Sequence, residues 1–370
     1  MNRIIGRPNF LSVGIAALYI LLACSGNVAA AYRAVPVVTN IDAPWSMAWL
    51  PGGDMLVTEK SGVIHRVRAG KLVGKLNGVP RVHDNGQGGL MEIALHPDFA
   101  SNNIIYLTYA SREGEGSGSN TALMRAELRD GTLLDRKVLY KGTPNTRRGQ
   151  HYGSRIVFDD KGFLYFTIGD RGARGQNPQD LARDGGKVYR LHEDGRVPAD
   201  NPFAGRDGAI GAVYSYGHRN PQGMARDPNT GLLWAHEHGP RGGDELNVIK
   251  RGLNYGWPIL SYGVNYSGTK FAEGTSRPGY EDPAWYWVPS IAPSGMTFVT
   301  GETYPDWEGG LLVGSLKFNY LVICEIDGAT VKSATPVMQK IGRVRDVRQA
   351  PDGFIYVATE GGGIKRIEPR

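Results

Sequence analysis

Asp160-Lys-Gly-Phe-Leu-Tyr-Phe-Thr167 reads as a polar turn running into an apolar strand, and its shape occurs five more times. The others are Pro51-Gly-Gly-Asp-Met-Leu-Val-Thr58, Ser101-Asn-Asn-Ile-Ile-Tyr-Leu-Thr108, Asn229-Thr-Gly-Leu-Leu-Trp-Ala-His236, Glu308-Gly-Gly-Leu-Leu-Val-Gly-Ser315 and Asp352-Gly-Phe-Ile-Tyr-Val-Ala-Thr359. Gly, Asp and Asn supply the turn; branched and aromatic residues suit the pleated sheet that follows. The six share a shape rather than a sequence. Their spacing of roughly 40 to 80 residues leaves room each time for a four-stranded sheet with loops. Six such units predict an all-β chain folded as a six-bladed β-propeller.

The sequence between the repeats supplies further short strands, at Val63 to Arg68, Lys187 to Leu191, Leu321 to Ile326 and Ile364 to Glu368. Helical periodicity is scarce, and Leu123 to Leu128 is too short to form a helix of consequence. The 52 Gly and 22 Pro fit many tight turns. A β-sandwich would not absorb so many short strands. The Gly/Ser-rich tract Glu113 to Asn120 reads as a surface loop, because strand pattern continues on both sides of it. The net charge of +6 comes from residues scattered along the chain, which argues against a nucleic-acid partner.

Arg3 and Arg7 precede an apolar stretch from Phe10 to Ala23 and then small residues to Ala31, the layout of an export leader. Residues 1–31 are therefore expected to be removed near Ala30 or Ala31, leaving 32–370 as one propeller domain in the periplasm or outside the cell. Leu21-Leu22-Ala23-Cys24 offers a second route, lipid attachment at Cys24 of an outer-membrane protein. The apolar run is shorter than the roughly 20 residues a spanning helix needs, so no membrane span is expected. With Cys24 in that leader, Cys324 has no disulfide partner.

Four polar motifs follow repeated strands, where propeller loops gather round the channel mouth. In Gly149-Gln-His-Tyr-Gly-Ser-Arg155, ahead of Ile168-Gly-Asp-Arg-Gly172, His151 is the preferred general base, since its ordinary pKa lies near neutrality. A lone loop histidine is otherwise more often structural. In Tyr216-Gly-His-Arg-Asn-Pro-Gln-Gly-Met224, Arg219 can bind an anion or stabilise developing charge, with Asn220 beside it. In His236-Glu-His-Gly-Pro-Arg-Gly-Gly-Asp-Glu-Leu-Asn247, two histidines two apart invite zinc, but no third nitrogen or sulfur ligand has matching spacing. The oxygen donors and the Gly-Pro bend suit calcium better. Finally, Lys317 and the pair Arg343 and Arg345 are cationic. Strand period two puts both arginines on one face, where an anion between them or neighbouring acids must offset their repulsion.

At these motifs the chain resembles the soluble aldose sugar dehydrogenases that depend on pyrroloquinoline quinone (PQQ), within the glucose/sorbosone dehydrogenase family. The resemblance runs from Ile41-Asp-Ala-Pro-Trp-Ser-Met-Ala-Trp49 to the final Gly-Gly-Gly-Ile-Lys365. It includes Gln87-Gly-Gly-Leu90, Gly217-His-Arg-Asn-Pro-Gln-Gly223, His238-Gly-Pro240, Asp244-Glu-Leu-Asn247, Asn254-Tyr-Gly-Trp-Pro258 and Arg343-Val-Arg-Asp346. It implies a six-bladed propeller with PQQ over the channel mouth and oxidation of an aldose at its anomeric carbon. His151 would then be the base, Arg219 and Asn220 would contact the quinone edge, and Lys317, Arg343 and Arg345 would neutralise the PQQ carboxylates. Gly239 and Pro240 would present carbonyls to Ca2+, Asp244 would support His151 or the site from behind, and Gln87 would sit at the sugar pocket. In the glucose dehydrogenase branch an acid precedes the catalytic histidine; here that position is Gln150, so the branch's sugar preference does not carry over.

The expected partners are aldose sugars and an external electron acceptor, with the protein a monomer or homodimer. Two other readings remain at this point. A calcium-dependent propeller lactonase would need several carboxylates converging on the metal. A non-catalytic propeller would bind glycans or proteins on its loop face, with His151 and Arg219 structural.

Overall fold

The computed structural model describes residues 32–370. The leader expected at 1–31, with Cys24, lies outside the described residues. Twenty-four strands form six four-stranded antiparallel sheets, the all-β, six-bladed propeller that the repeats predict. The first blade comprises Pro44–Trp49, Met55–Glu59, Val63–Arg68 and Lys71–Lys75; the second comprises Leu90–Leu95, Ile104–Ser111, Asn120–Arg129 and Thr132–Lys141. The third holds Ile156–Phe158, Leu164–Ile168, Lys187–Leu191 and Val213–Tyr216, and the fourth Pro221–Arg226, Leu233–Glu237, Asp244–Val248 and Trp285–Trp287. The fifth holds Pro293–Phe298, Leu311–Ser315, Leu321–Asp327 and Thr330–Val337.

The sixth blade is made from both ends of the described chain. Arg343–Gln349, Ile355–Glu360 and Gly363–Pro369 are completed on the outside by Tyr32–Val38, with Tyr32 opposite Pro369 and Arg33 opposite Glu368. The first strand of each blade touches the first strand of the next, from first to sixth and back to the first, so the ring closes round a central channel.

Each of the six quoted repeats is the turn into the second strand of a blade. These strands are buried on both faces because each blade packs between two others. The apolar side chains accordingly form six main clusters, one at each junction between blades, rather than one central core. Leu56, Ile93 and Leu107 pack between the first and second blades; Val38, Val57 and Ile364 pack between the sixth and first. Leu123 to Leu128 lies inside the strand Asn120–Arg129, and among the described residues the only helix is the four-residue Phe99–Asn102. No described helix is long and apolar enough to cross a membrane.

The channel itself is filled by charge. Arg155, just before the first strand of the third blade, contacts Glu92 at 2.7 Å and Asp346 at 2.8 Å. Arg348 also pairs with Glu92, and reaches Asp346 at 3.0 Å. The Ser46 hydroxyl and the Met47 N–H donate to these same carboxylates. Glu92 and Asp346 are fully buried, so this set depends on every partner being present.

Candidate functional site

The loops that enter the first strands and leave the second strands meet at one mouth of the channel. His151 sits there in the left-handed region, at φ 57°, in the loop before the third blade's first strand. Its N–H donates to Gln87 Oε1 at 2.7 Å, which fixes that backbone turn. Its Nδ1 lies 2.6 Å from Asp170 Oδ1. Burial works to raise the Asp170 pKa, but His151, Arg219 and the Trp257 N–H outweigh it and hold the carboxyl below the usual value. Asp170 is therefore an acceptor, and His151 must donate from Nδ1. Nε2, which makes no hydrogen bond among the described residues, carries the lone pair. Burial depresses the His151 pKa below its ordinary 6.5, with Asp170 opposing, so the neutral, proton-accepting form is favoured.

Asp170 escaped the sequence reading although its motif was quoted. It follows the third blade's second strand, and three donors converge on its carboxylate. Trp257 Nε1 donates to its other oxygen at 2.9 Å, the Gly172 N–H joins His151 on the first, and its own N–H donates to Arg219 O at 2.7 Å. Gly169 beside it needs to be glycine, because a Cβ there would stand 2.5 Å from His151 O and 2.8 Å from Asn220 Oδ1. A signal was available: an acid placed just past a buried strand end, on the face to which the His151 loop returns.

Arg219 and Asn220 come from the loop into the fourth blade. Arg219 Nη1 donates to His238 O at 2.8 Å, its N–H donates to Glu237, and its guanidinium lies 5.3 Å from the Trp257 ring centre. Asn220 is fully buried; its Oδ1 accepts the Gly153 N–H at 3.2 Å, while its Nδ2 has no partner. An orphaned buried donor is costly unless a ligand accepts from it. Gln150, His151, Arg219, Pro240, Trp257 and Tyr266 line a cleft beside this group. Larger cavities on the opposite face, between the third and fourth blades and between the sixth and first, contain none of these residues.

Asp244 does not touch His151. It accepts from the Gly239 N–H at 2.8 Å, from Ser290, and from the Ile291 and Ala292 N–H groups, so it braces the Gly239-Pro240 bend instead. Burial raises its pKa against these bonds. Gly239 is packed so tightly that a Cβ would fall 2.2 Å from Gly242 O. Its carbonyl and that of Pro240 accept no hydrogen bond among the described residues, which leaves two oxygen donors for a hard cation. Among the described residues no three His, Cys, Asp or Glu side chains are grouped to hold a metal. His238 donates from Nε2 to Pro293 O, and burial lowers its pKa to about 3; His236 is buried neutral as well.

The cationic residues lie across the mouth, on the fifth and sixth blades. Lys317 is exposed, with its ammonium 5.0 Å from the Phe318 ring centre. Arg345 Nη1 donates to Gln222 Oε1 at 3.1 Å, and Gln222 Nε2 lies 3.5 Å from Asn220 Oδ1, which ties this rim to the His151 side. The anion between Arg343 and Arg345 is a residue of the chain, Glu360. In the segment from Tyr262 to Trp287, Tyr262 stacks on Tyr286 with centroids 3.8 Å apart, and Tyr266 reaches the cleft exposed.

Comparison with known proteins gives these positions a context. The family described as glucose/sorbosone dehydrogenase matches residues 41–366. The chain is 41% identical over 340 residues to the aldose sugar dehydrogenase YliI of Escherichia coli, covering 90% of this chain and 91% of that one. The structure of the soluble aldose sugar dehydrogenase of Escherichia coli in its apo form superposes with a TM-score of 0.88 at 39% identity, covering 92% of this chain and all of that one. The PQQ-bound aldose sugar dehydrogenase of Streptomyces coelicolor superposes with a TM-score of 0.75 at 31% identity, over 92% and 98% of the two chains. On the extent of these matches, the chain belongs to the glucose/sorbosone dehydrogenase family.

Proposed function

We propose that this protein oxidises aldose sugars at the anomeric carbon to lactones, with PQQ as cofactor and Ca2+ as its companion ion. Family membership makes it an oxidoreductase, and the PQQ-bound relative supports the cofactor. When bound, PQQ supplies a two-electron acceptor for the hydride on C1 of the sugar.

The chain's own residues account for the rest. His151 Nε2 takes the proton of the anomeric hydroxyl, so that loss of this proton and of the C1 hydride leaves a C1 carbonyl and closes the two-electron balance. Asp170 holds His151 in the tautomer whose lone pair faces the cleft. Arg219 offers positive charge, and Asn220 Nδ2 an unused donor, to an electron-rich acceptor edge. Lys317, Arg343 and Arg345 would hold carboxylates, and the Gly239 and Pro240 carbonyls, braced by Asp244, would hold Ca2+. Gln87, which positions the His151 backbone, and Gln150 on the cleft wall would face the sugar. Removal of 1–31 as a leader would place the enzyme in the periplasm or outside the cell.

The observation that carries this reading is a neutral, oriented histidine base beside a buried amide donor that has no partner. Purified apoprotein should reduce a dye with aldoses only when PQQ and Ca2+ are both added. In His151→Ala, activity should fall at least about 1,000-fold. Folded protein that shows no sugar-dependent reduction under any combination would exclude the proposal.

A further inference from the structure

We infer that Glu360 is a place-holder anion, which neutralises Arg343 and Arg345 while the site is empty and competes with the cofactor's carboxylates for them. The inference rests on the PQQ reading above.

Arg343 and Glu360 are direct partners across two strands of the sixth blade. Glu360 Oε2 lies 2.5 Å from Arg343 Nε, and its Oε1 accepts from Arg345 Nε at 2.9 Å and Nη2 at 2.5 Å. One carboxylate thus occupies the Nε–Nη2 fork of Arg345, the edge best shaped for a carboxylate, together with Arg343 Nε. Of the other nitrogens, Arg343 Nη1 donates to Leu316 O at 2.8 Å and Arg345 Nη1 to Gln222, so all three nitrogens of Arg345 are taken while Arg343 Nη2 stays open among the described residues. An incoming carboxylate can meet Arg343 Nη2 or Lys317 directly, but it reaches the Arg345 fork only by displacing Glu360.

The local charge agrees. Lys317, Arg343 and Arg345 carry three positive charges, and Glu360 cancels one of them. Burial works to raise the Glu360 pKa, but Arg345 and Arg343 outweigh it and keep the group ionised. The side chain of Arg345 is only 15% exposed, so solvent screens its pair weakly. Without Glu360 or a ligand, the two guanidiniums would repel at close range on one strand face.

The opposite role would make Glu360 a strut that presents both arginines to the cofactor. Equilibrium dialysis of PQQ against apoprotein at fixed Ca2+ separates the two. In Glu360→Gln the Kd for PQQ should tighten about tenfold, and the Tm of the apoprotein should fall. Glu360→Ala should also tighten binding, and Glu360→Asp should lie between Gln and wild type. Binding that is unchanged or weaker in both Gln and Ala variants, with wild type binding normally, would overturn the place-holder role. Wild type that does not bind PQQ at all would instead overturn the function on which it rests.

Discussion

Two sets of polar groups share the propeller axis, and they are treated in opposite ways. In the channel, Glu92, Arg155 and Asp346 are buried, Arg348 is partly so, and the four are mutually paired. At the mouth, His151 Nε2, Asn220 Nδ2 and the Gly239 and Pro240 carbonyls are held in place by neighbours yet left without partners of their own. The surroundings that fix them are as complete as in the channel: Asp170 for His151, Gly153 for Asn220, Asp244 for the Gly239 bend. Burial alone therefore does not mark a site. Nor does a single unmet hydrogen bond, since Trp234 Nε1 is buried without a partner in the apolar packing between the fourth and fifth blades; several such groups gathered beside one cleft do.

Asp170→Asn would break the mouth set most severely. The amide can turn its NH2 toward His151 and force the lone pair onto Nδ1, so kcat should fall about 1,000- to 10,000-fold; the same turn sets NH2 against the Gly172 N–H and should cost about 1–3 kcal/mol in stability. A loss of under tenfold would mean that Asp170 does not set the tautomer. In the wild type, the acid limb of kcat/KM should lie below pH 6.5, because the lowered His151 pKa keeps the base form present to lower pH.

Arg155→Met tests the channel set. It strands Glu92 and Asp346 with Arg348 alone, and should cost about 3–5 kcal/mol in unfolding free energy measured by denaturant titration. A loss below about 1 kcal/mol would show that the buried charges are already well compensated without Arg155. A smaller effect on stability should come from Asn220→Ala, which takes the acceptor from the Gly153 N–H and from Gln222 Nε2 and costs about 1–3 kcal/mol. Its PQQ affinity should nonetheless drop about tenfold. An unchanged PQQ affinity would show that the unused Nδ2 donor does not serve the cofactor and would erase the distinction between the two sets.

The second strands of all six blades were legible because each combines a local turn with an apolar run, and both are written within eight residues. The residues of the mouth were legible as types for the same local reason. Their pairings were not. Asp170 meets His151 across a loop and a strand, and Glu360 meets Arg343 through register between neighbouring strands. Asp244 was expected to support His151 or the site from behind, and it braces the Gly239 bend, a distinction set by which way its carboxylate points. The channel charges gave no signal at all, since Glu92, Arg155 and Asp346 come from three different blades and only closure of the ring brings them together.

The strand Tyr32–Val38 lies beside Gly363–Pro369, so the sixth blade cannot be finished until residues 363–369 exist. A polypeptide emerging from its N-terminal end must hold Tyr32–Val38 without its partner strand until residues 363–369 are made, and the ring cannot close before then. That arrangement favours slow folding and equally slow opening, because any one blade can leave only by unfastening the seam. It also sets Tyr32 and Pro369 side by side, so a chain engineered to begin at Tyr32 could be joined to Pro369 by a short peptide, cut at an outer turn and still close.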